Sequence, residues 1–288
     1  MGRQLVAVNT APDSENRMHG DEARRYGFSS GLVPGVDVLG YLAHEGVAEW
    51  GAPWLAGGRL QGRLDSPVYD GERIEVVTAG HGERDDDRFD ARVVGPDGGV
   101  RARATLSTIP ADAAVAATTS DPAAPNRAEL IALATPDGFP VAAWPDQAER
   151  PAATRELLES GTVLGTQRAG FHAARALSYL DEISEVHPAF RDAGLAHPGW
   201  LLRFANWALS GTVRLGPWIH VSSDASFLAP VRDGDQLEVR AIVTDRFERK
   251  GHELVDLRAL YLVAGAPVAL VDHRAIWRPR ASSPPGEG

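Results

Sequence analysis

"PVYDGERIEV" at residues 67–76 returns as "PVRDGDQLEV" at residues 230–239, without a gap and 163 positions later. The two copies agree at Pro, Val, Asp, Gly, Glu and Val. Each reads as a tight Asp-Gly turn feeding an alternating strand. Ile74 and Val76 share one face of the first strand, and Leu237 and Val239 share one face of the second. A match this long and this distant describes a chain built from two copies of one unit.

The copies extend outward from that turn. Upstream of the first, "GLVPG" (31–35) precedes "VDVLGYLAHEGVAEWG", and upstream of the second, "GLAHPG" (194–199) precedes "WLLRFANWALSGTV". In both, Pro-Gly opens a segment with apolar residues at helical spacing: Val36, Leu39, Leu42 and Val47, then Leu201, Phe204, Ala208 and Leu209. Proline ahead of the first turn is a good helix start. A tryptophan follows each helix, Trp54 and Trp218, and Asp13-x-x-Asn16-x-x-His19 has a counterpart in Asp181-x-x-Ser184-x-x-His187. Downstream, alternating runs follow each turn: "FDARVVG" and "VRARATLSTIP" in one half, "ELVDLRALYLVAG" and "VALVDHRAIWRP" in the other. Each half is therefore a strand, a loop, a long helix and then several antiparallel strands. The expected division is 1–110, a linker and peripheral segment over 111–165, 166–280, and a disordered tail at 281–288.

Composition narrows the function classes. A net charge of −10 argues against a nucleic-acid groove, which needs a basic footprint. The absence of cysteine removes disulfides, thiol catalysis and thiolate metal sites. There is no apolar run of membrane-spanning length and no charged-then-apolar leader, so the expectation is a cytoplasmic protein with no membrane partner. No Gly-rich phosphate loop and no histidine cluster at ligand spacing occurs, so no cofactor and no metal are expected. The acidic run "ERDDDRFD" (83–90) reads as a solvated loop, and "FERKGHE" (247–253) as a hairpin turn at Lys250-Gly251.

One long helix clasped by a curved antiparallel sheet, duplicated in tandem, resembles the double hotdog fold, an α+β class. The motif around His19 is similar to that of the MaoC-like, (R)-specific enoyl-CoA hydratases. That family carries D-x-N-P-x-H, then an alanine and a Gly-Phe, then a glycine at the start of the central helix. Here the histidine falls on His19, the asparagine on Asn16, the later residues on Ala23, Gly27 and Phe28, and the helix-start glycine on Gly35. The family aspartate falls on Ser14. In the second half the same positions are Glu182, Ser184, His187 and Gly199. The resemblance implies that the acid-base pair moves a proton to or from water, while the helix-start amide polarises a thioester carbonyl.

The candidate catalytic residues are therefore His19, Asn16, Ser14 and, from the other half, His220, which alternation places on one face with Trp218, Ser222 and Asp224. Gly35, Val33, Trp218 and Tyr26 are the candidate substrate contacts. Alternative catalytic groups are Asp37 and Glu45 on the central helix, in the manner of a hotdog thioesterase, and Glu182 and His187 in the second half. Asp37 also suits a helix N-terminus for purely structural reasons; buried and turned to the opposite half, it would favour hydrolysis. A third possibility is a binding module without catalysis. The expected partner is a small molecule, free or carried on coenzyme A or a carrier protein, bound by a monomer or a homodimer.

Overall fold

The computed structural model describes residues 2–79, 85–112 and 124–280. The expected tail at 281–288 and residues 113–123 of the expected linker and peripheral segment lie outside the described residues. Ten strands form one antiparallel sheet: β1 Arg3–Val6, β2 Gly58–Leu64, β3 Arg73–Thr78, β4 Arg88–Val94, β5 Val100–Thr108, β6 Gln167–Gly170, β7 Ile219–Phe227, β8 Gln236–Arg249, β9 His252–Val263 and β10 Ala266–Arg278. Their order is β1-β3-β4-β5-β2-β7-β10-β9-β8-β6. Each half contributes five strands in the same relative order, and the two fives meet where β2 pairs with β7. Two long helices lie on the concave side, α1 Gly35–Trp50 and its counterpart over Pro198–Thr212, and they pack on each other. This is the double hotdog arrangement.

The repeated segments become these elements for local reasons. Both Asp-Gly turns place glycine at positive φ, 75° at Gly71 and 87° at Gly234, where an L side chain would be strained. Ile74, Val76, Leu237 and Val239 are all buried under the helices. α1 is buried nearly all round, from Val36 to His44 and again at Gly46 and Val47. A helix wrapped by a sheet needs apolar residues on every side, which is why its pattern is denser than a single stripe. The hairpin at Lys250-Gly251 forms as the sequence suggests, with both residues at positive φ. The acidic run differs from the reading as a loop: Arg88, Phe89 and Asp90 open β4, and Phe89 is buried.

The peripheral segment covers the outer face of the second half. A short helix, α2 Arg127–Leu133, starts with Asn126 in a reciprocal capping box with Glu129. Leu130, Ala134 and Phe139 then bury against Leu228, Leu260, Leu262 and Leu270 on the convex side of the sheet. Two further helices, α3 Ala173–Glu182 and α4 Pro188–Arg191, lead into the second long helix, α5 Pro198–Thr212.

The halves are also tied through their helices. Asp37, fully buried at the first turn of α1, accepts from Tyr179 Oη at 2.9 Å, Thr10 Oγ1 at 2.6 Å and Arg203 Nη2 at 3.2 Å. Arg203 also stacks 4.0 Å over the Tyr179 ring. An ionised carboxylate in this position is stable only because three donors surround it. Asp37→Ala should therefore lower stability by about 3–5 kcal/mol, because Arg203 and Tyr179 lose their acceptor. Calorimetry should register a fall in Tm on the order of 10 °C. An unchanged Tm would show that the cluster does not hold the halves together.

Candidate active site

The site begins with one tight turn. Arg17–His19 form a single 3-10 turn capped by Asn16, whose Oδ1 accepts from the Met18 amide at 3.3 Å. Met18 anchors that turn in the interior, and its carbonyl accepts from Leu32 N at 2.9 Å. The Asn16 amide also reaches across to the second half. Its Nδ2 donates to the Trp218 carbonyl at 3.1 Å, and its Oδ1 accepts from the Trp218 N–H at 3.4 Å. One side chain thus stands in for a strand neighbour at the entry to β7.

The same amide fixes the state of His19. His19 Nδ1 lies 2.7 Å from the Leu32 carbonyl, which can only accept, so Nδ1 carries the hydrogen. The lone pair is then on Nε2, 3.3 Å from Asn16 Nδ2, which donates to it. Burial lowers the His19 pKa, opposed by the Leu32 carbonyl and the charge of Asp37. His19 is therefore a neutral imidazole with its basic nitrogen held in one direction.

Two adjoining cavities meet at this point. An inner one of about 270 Å³ is lined by His19, Asn16, Val33, Gly35, Leu64, Trp218 and His220, among others. An outer one of about 370 Å³ includes Ser14, Trp144, Arg150, Arg203 and Trp207. Asn16, His19, Asn206 and Trp218 line both. Gly35 forms the inner wall at the start of α1. A methyl group there would stand 2.3 Å from Leu64 Cδ1 and 2.8 Å from His220 Nδ1, so any larger residue requires both side chains to shift. As the first residue of a helix, it has no carbonyl one turn behind it within the helix for its amide to bond.

His220 enters this cavity because of a β-bulge. The register of β7 against β10 shifts between Ser222 and His220, leaving Val221 as the extra residue. Strict alternation put Ser222 and Asp224 beside His220. The bulge brings Ser223 there instead, with its Oγ 2.9 Å from His220 Nε2. Asp224 faces outward and is held by Arg59 at 2.8 and 2.6 Å. Burial pushes the His220 pKa down to about 4.

The other sequence candidates are placed as follows. Ser14 is exposed on the outer cavity, with its hydroxyl turned to the Asn16 carbonyl at 3.4 Å. Val33 lines the inner cavity, whereas Tyr26 is half-buried on the turn over Asp21–Tyr26 and lines neither. Asp37 is buried and faces the opposite half, yet both of its oxygens are engaged and it lines neither cavity. Glu45 is paired with Arg3 at 3.1 Å. Glu182 is exposed beside Arg175 and Arg203. His187 caps α4, accepting from Ala189 N at 3.2 Å. Beside it, buried Glu185 accepts from His44 Nδ1 at 2.8 Å and from the His187 amide at 2.7 Å. His197 Nε2 lies 3.3 Å from the same carboxylate, off the hydrogen-bonding direction. Burial would raise the Glu185 pKa, but the His44 hydrogen bond and the adjacent His197 imidazole outweigh it and hold Glu185 well below the usual carboxylate range. Among the described residues, no group of three or more His, Asp or Glu side chains has metal-binding geometry.

Three residues of this region escaped the sequence reading. Asn206 on α5 lines both cavities and its Oδ1 is buried without a partner. Ser223 and His273 lie beneath His220. His273 was visible as the polar exception in the inward-facing series Ala269, Val271, His273, Ala275 and Trp277 of β10.

No family model and no curated protein sequence matches the chain. Solved structures resemble it over nearly its whole length. A MaoC-like dehydratase has a TM-score of 0.57 at 13% identity, with 98% of this chain and 97% of that chain covered. A MaoC domain dehydratase from Chloroflexus aurantiacus gives 0.57 at 12% identity, covering 97% and 96%. A double-hotdog protein of Mycobacterium tuberculosis, essential for bacterial survival during infection, gives 0.57 at 15% identity, covering 96% of both chains. The chain therefore has the double hotdog fold of the MaoC-like dehydratase structures.

The buried neutral histidines set an acid limit. A free histidine has a pKa of about 6.5. His19, His220 and His273 all lie below theirs because of burial. As pH falls through 6.5, the unfolded chain takes up protons that the folded chain refuses, so stability falls with pH. His220 alone contributes on the order of 3 kcal/mol between pH 6.5 and its folded value. Glu185 acts in the same direction lower down, since its stabilisation is present above the ordinary carboxylate pKa and lost below it. Thermal melts should show Tm declining from pH 7 to 4.5, less steeply in His220→Asn. A level Tm over that range would contradict neutral burial.

Proposed function

We propose that the chain is a hydratase/dehydratase that adds or removes water across a double bond conjugated to an acyl thioester or related activated carbonyl. The observation that carries this is a neutral His19, its Nε2 lone pair fixed by Asn16 and Leu32, in the same cavity as the helix-start amide of Gly35. In the hydration direction, water displaces the Asn16 amide from the single lone pair of His19 Nε2, which then takes the water proton as its oxygen bonds to the β-carbon. The displaced electron pair moves onto the carbonyl oxygen, where the Gly35 amide and the positive end of α1 stabilise it. The α-carbon then takes back the proton and the enolate collapses. Dehydration is the reverse. Asn16 acts as a positioning residue, since its amide is engaged by Met18, Trp218 and His19. The apolar walls of Val33, Val38, Leu64 and Ile276 suit a short acyl chain.

The exposed Ser14 at the family's aspartate position favours a second reading, ligand binding without turnover. The thioesterase reading has less support, because Asp37 and Glu45 are both engaged in ion pairs away from the cavities. Mass spectrometry of the protein with a panel of enoyl- and 3-hydroxyacyl-CoA thioesters separates these readings. Gain or loss of one water is expected, with His19→Ala reducing kcat on the order of 10²- to 10⁴-fold and His187→Ala leaving it unchanged. Release of free coenzyme A would indicate hydrolysis, and no reaction across the panel would leave binding alone.

A further inference from the structure

α5 carries a stripe that its counterpart lacks. With the two Pro-Gly helix starts aligned, Arg203, Asn206, Trp207 and Ser210 fall on the positions of Leu39, Leu42, Ala43 and Gly46 in α1. Their spacing puts the four on one helical face. In α1 those positions are apolar and buried. In α5 all four residues line the outer cavity, and Asn206 lines the inner one as well. The two copies therefore differ along one helical face, at the place where that face meets open space.

Within the stripe, Arg203 is committed to Thr10 Oγ1 and Asp37, and Ser210 Oγ donates to the Asn206 carbonyl at 3.1 Å. The Asn206 side chain is different. Its Oδ1 is sealed from solvent without a partner, although the residue as a whole is only half-buried. The end of the amide left to the cavities is therefore Nδ2. A buried N–H with no acceptor is a rarer orphan than an under-satisfied oxygen, so oxygen inward and N–H outward is the favoured way round. The packing of the helices fixes the height of this donor. A methyl on Gly40 would stand 3.5 Å from Gly199 Cα, and Asp37 meets Arg203. One turn further along α5, Asn206 falls level with the start of α1. It shares the inner wall with Gly35 and the outer wall with Pro34 and Val36.

We infer that Asn206 Nδ2 donates to the carbonyl oxygen of a ligand that threads the neck between the two cavities. Four residues form that neck. The Asn16 amide is engaged by Met18, Trp218 and His19, His19 turns a lone pair there, and the Trp218 backbone is bonded to Asn16. Asn206 brings an amide with no such commitment, from the opposite unit and beside the helix end that favours negative charge. Its unpartnered oxygen is a standing cost to folding, which a packing role leaves unexplained. As charge develops on a bound carbonyl oxygen, a fixed N–H in a water-poor site stabilises it more than it stabilises the ground state. That catalytic consequence rests on the hydratase reading, whereas the carbonyl contact does not.

The test joins stability, spectroscopy and kinetics. Asn206→Leu keeps the side-chain volume while removing the donor and the unpartnered oxygen together, and Asn206→Ala removes both without adding bulk. Neither variant should have a lower Tm than the unaltered protein, because no part of the fold relies on the amide. Infrared spectroscopy should show the carbon-13 carbonyl stretch of butanoyl N-acetylcysteamine thioester moving to lower frequency in the unaltered protein. The stretch should move less in both variants, with occupancy measured by titration calorimetry. If the chain turns over enoyl thioesters, Asn206→Leu should lose on the order of 10²-fold in kcat. KM should stay nearly constant, the signature of an interaction made in the transition state. A Tm lowered in both variants would make Asn206 a packing residue and overturns the proposal. A stretch that does not respond to the unaltered protein, or that moves equally in all three, overturns it too. A shift that weakens in the variants, without turnover in any of them, overturns only the hydratase reading.

Discussion

The pairing of β2 with β7 is the constraint on which the rest of the molecule depends. Its register sets Gln61 opposite Asp224, and these two positions are separated by the same 163 residues that separate the repeated turns. Each unit therefore meets the other at its own equivalent position, which makes this contact an approximate two-fold axis. Arg59 and Gln61 fasten the pairing through Asp224. Once the two sheets are continuous, the helices have no choice but to lie side by side on the concave face. Asp37 then finds its donors on Tyr179 and Arg203 of the other unit, and Asn16 finds the backbone of Trp218.

The two-fold relation holds for the backbone and fails for the chemistry. Trp54 and Trp218 follow equivalent helices, yet Trp54 is a core residue packed against Gly46 and Gly58, its indole N–H bonded to the Ser107 carbonyl. Trp218 instead offers its backbone to Asn16 and its ring to the two cavities. His19 keeps a directed lone pair beside open space, whereas His187 caps a short helix next to the buried Glu185. One loop has kept a polar pair facing a cavity. Its counterpart has used the same length of chain for a carboxylate–histidine cluster that packs the second unit against α1 through His44.

The fold was legible because it rests on local signals that occur twice. The Asp-Gly turns, the Pro-Gly helix starts and the alternating runs each state a backbone conformation, and their repetition at one spacing states the architecture. His19, Asn16 and Gly35 were legible through a motif and a helix start. The pocket's other half was less so. His220 could be placed on a strand, but its neighbours could not, because a bulge at Val221 changes which residues share its face and no feature of "HVSSDA" announces it. Asp37 illustrates the opposite difficulty. Its position at a helix N-terminus was plain, but its role depends on Tyr179 and Arg203, 142 and 166 residues away, which only the docked structure brings to it. Asn206 sits in a helix whose apolar neighbours Leu202, Ala205 and Leu209 read as core, and a single amide among them carries no local signature.

The Asn16–Trp218 contact also bears on how the chain folds. The two residues are 202 positions apart, so the bonds that orient His19 are among the most non-local in the molecule. Contacts of that separation carry a large loop-closure entropy and form only after intervening structure has shortened the effective distance. Each unit can complete its own turn, helix and strands while the Asn16 amide still faces water. The cavity wall shared by Asn16 and Trp218 is then a property of assembly, completed when the second unit's β7 arrives beside the first unit's loop, and a chain with two undocked units would lack it.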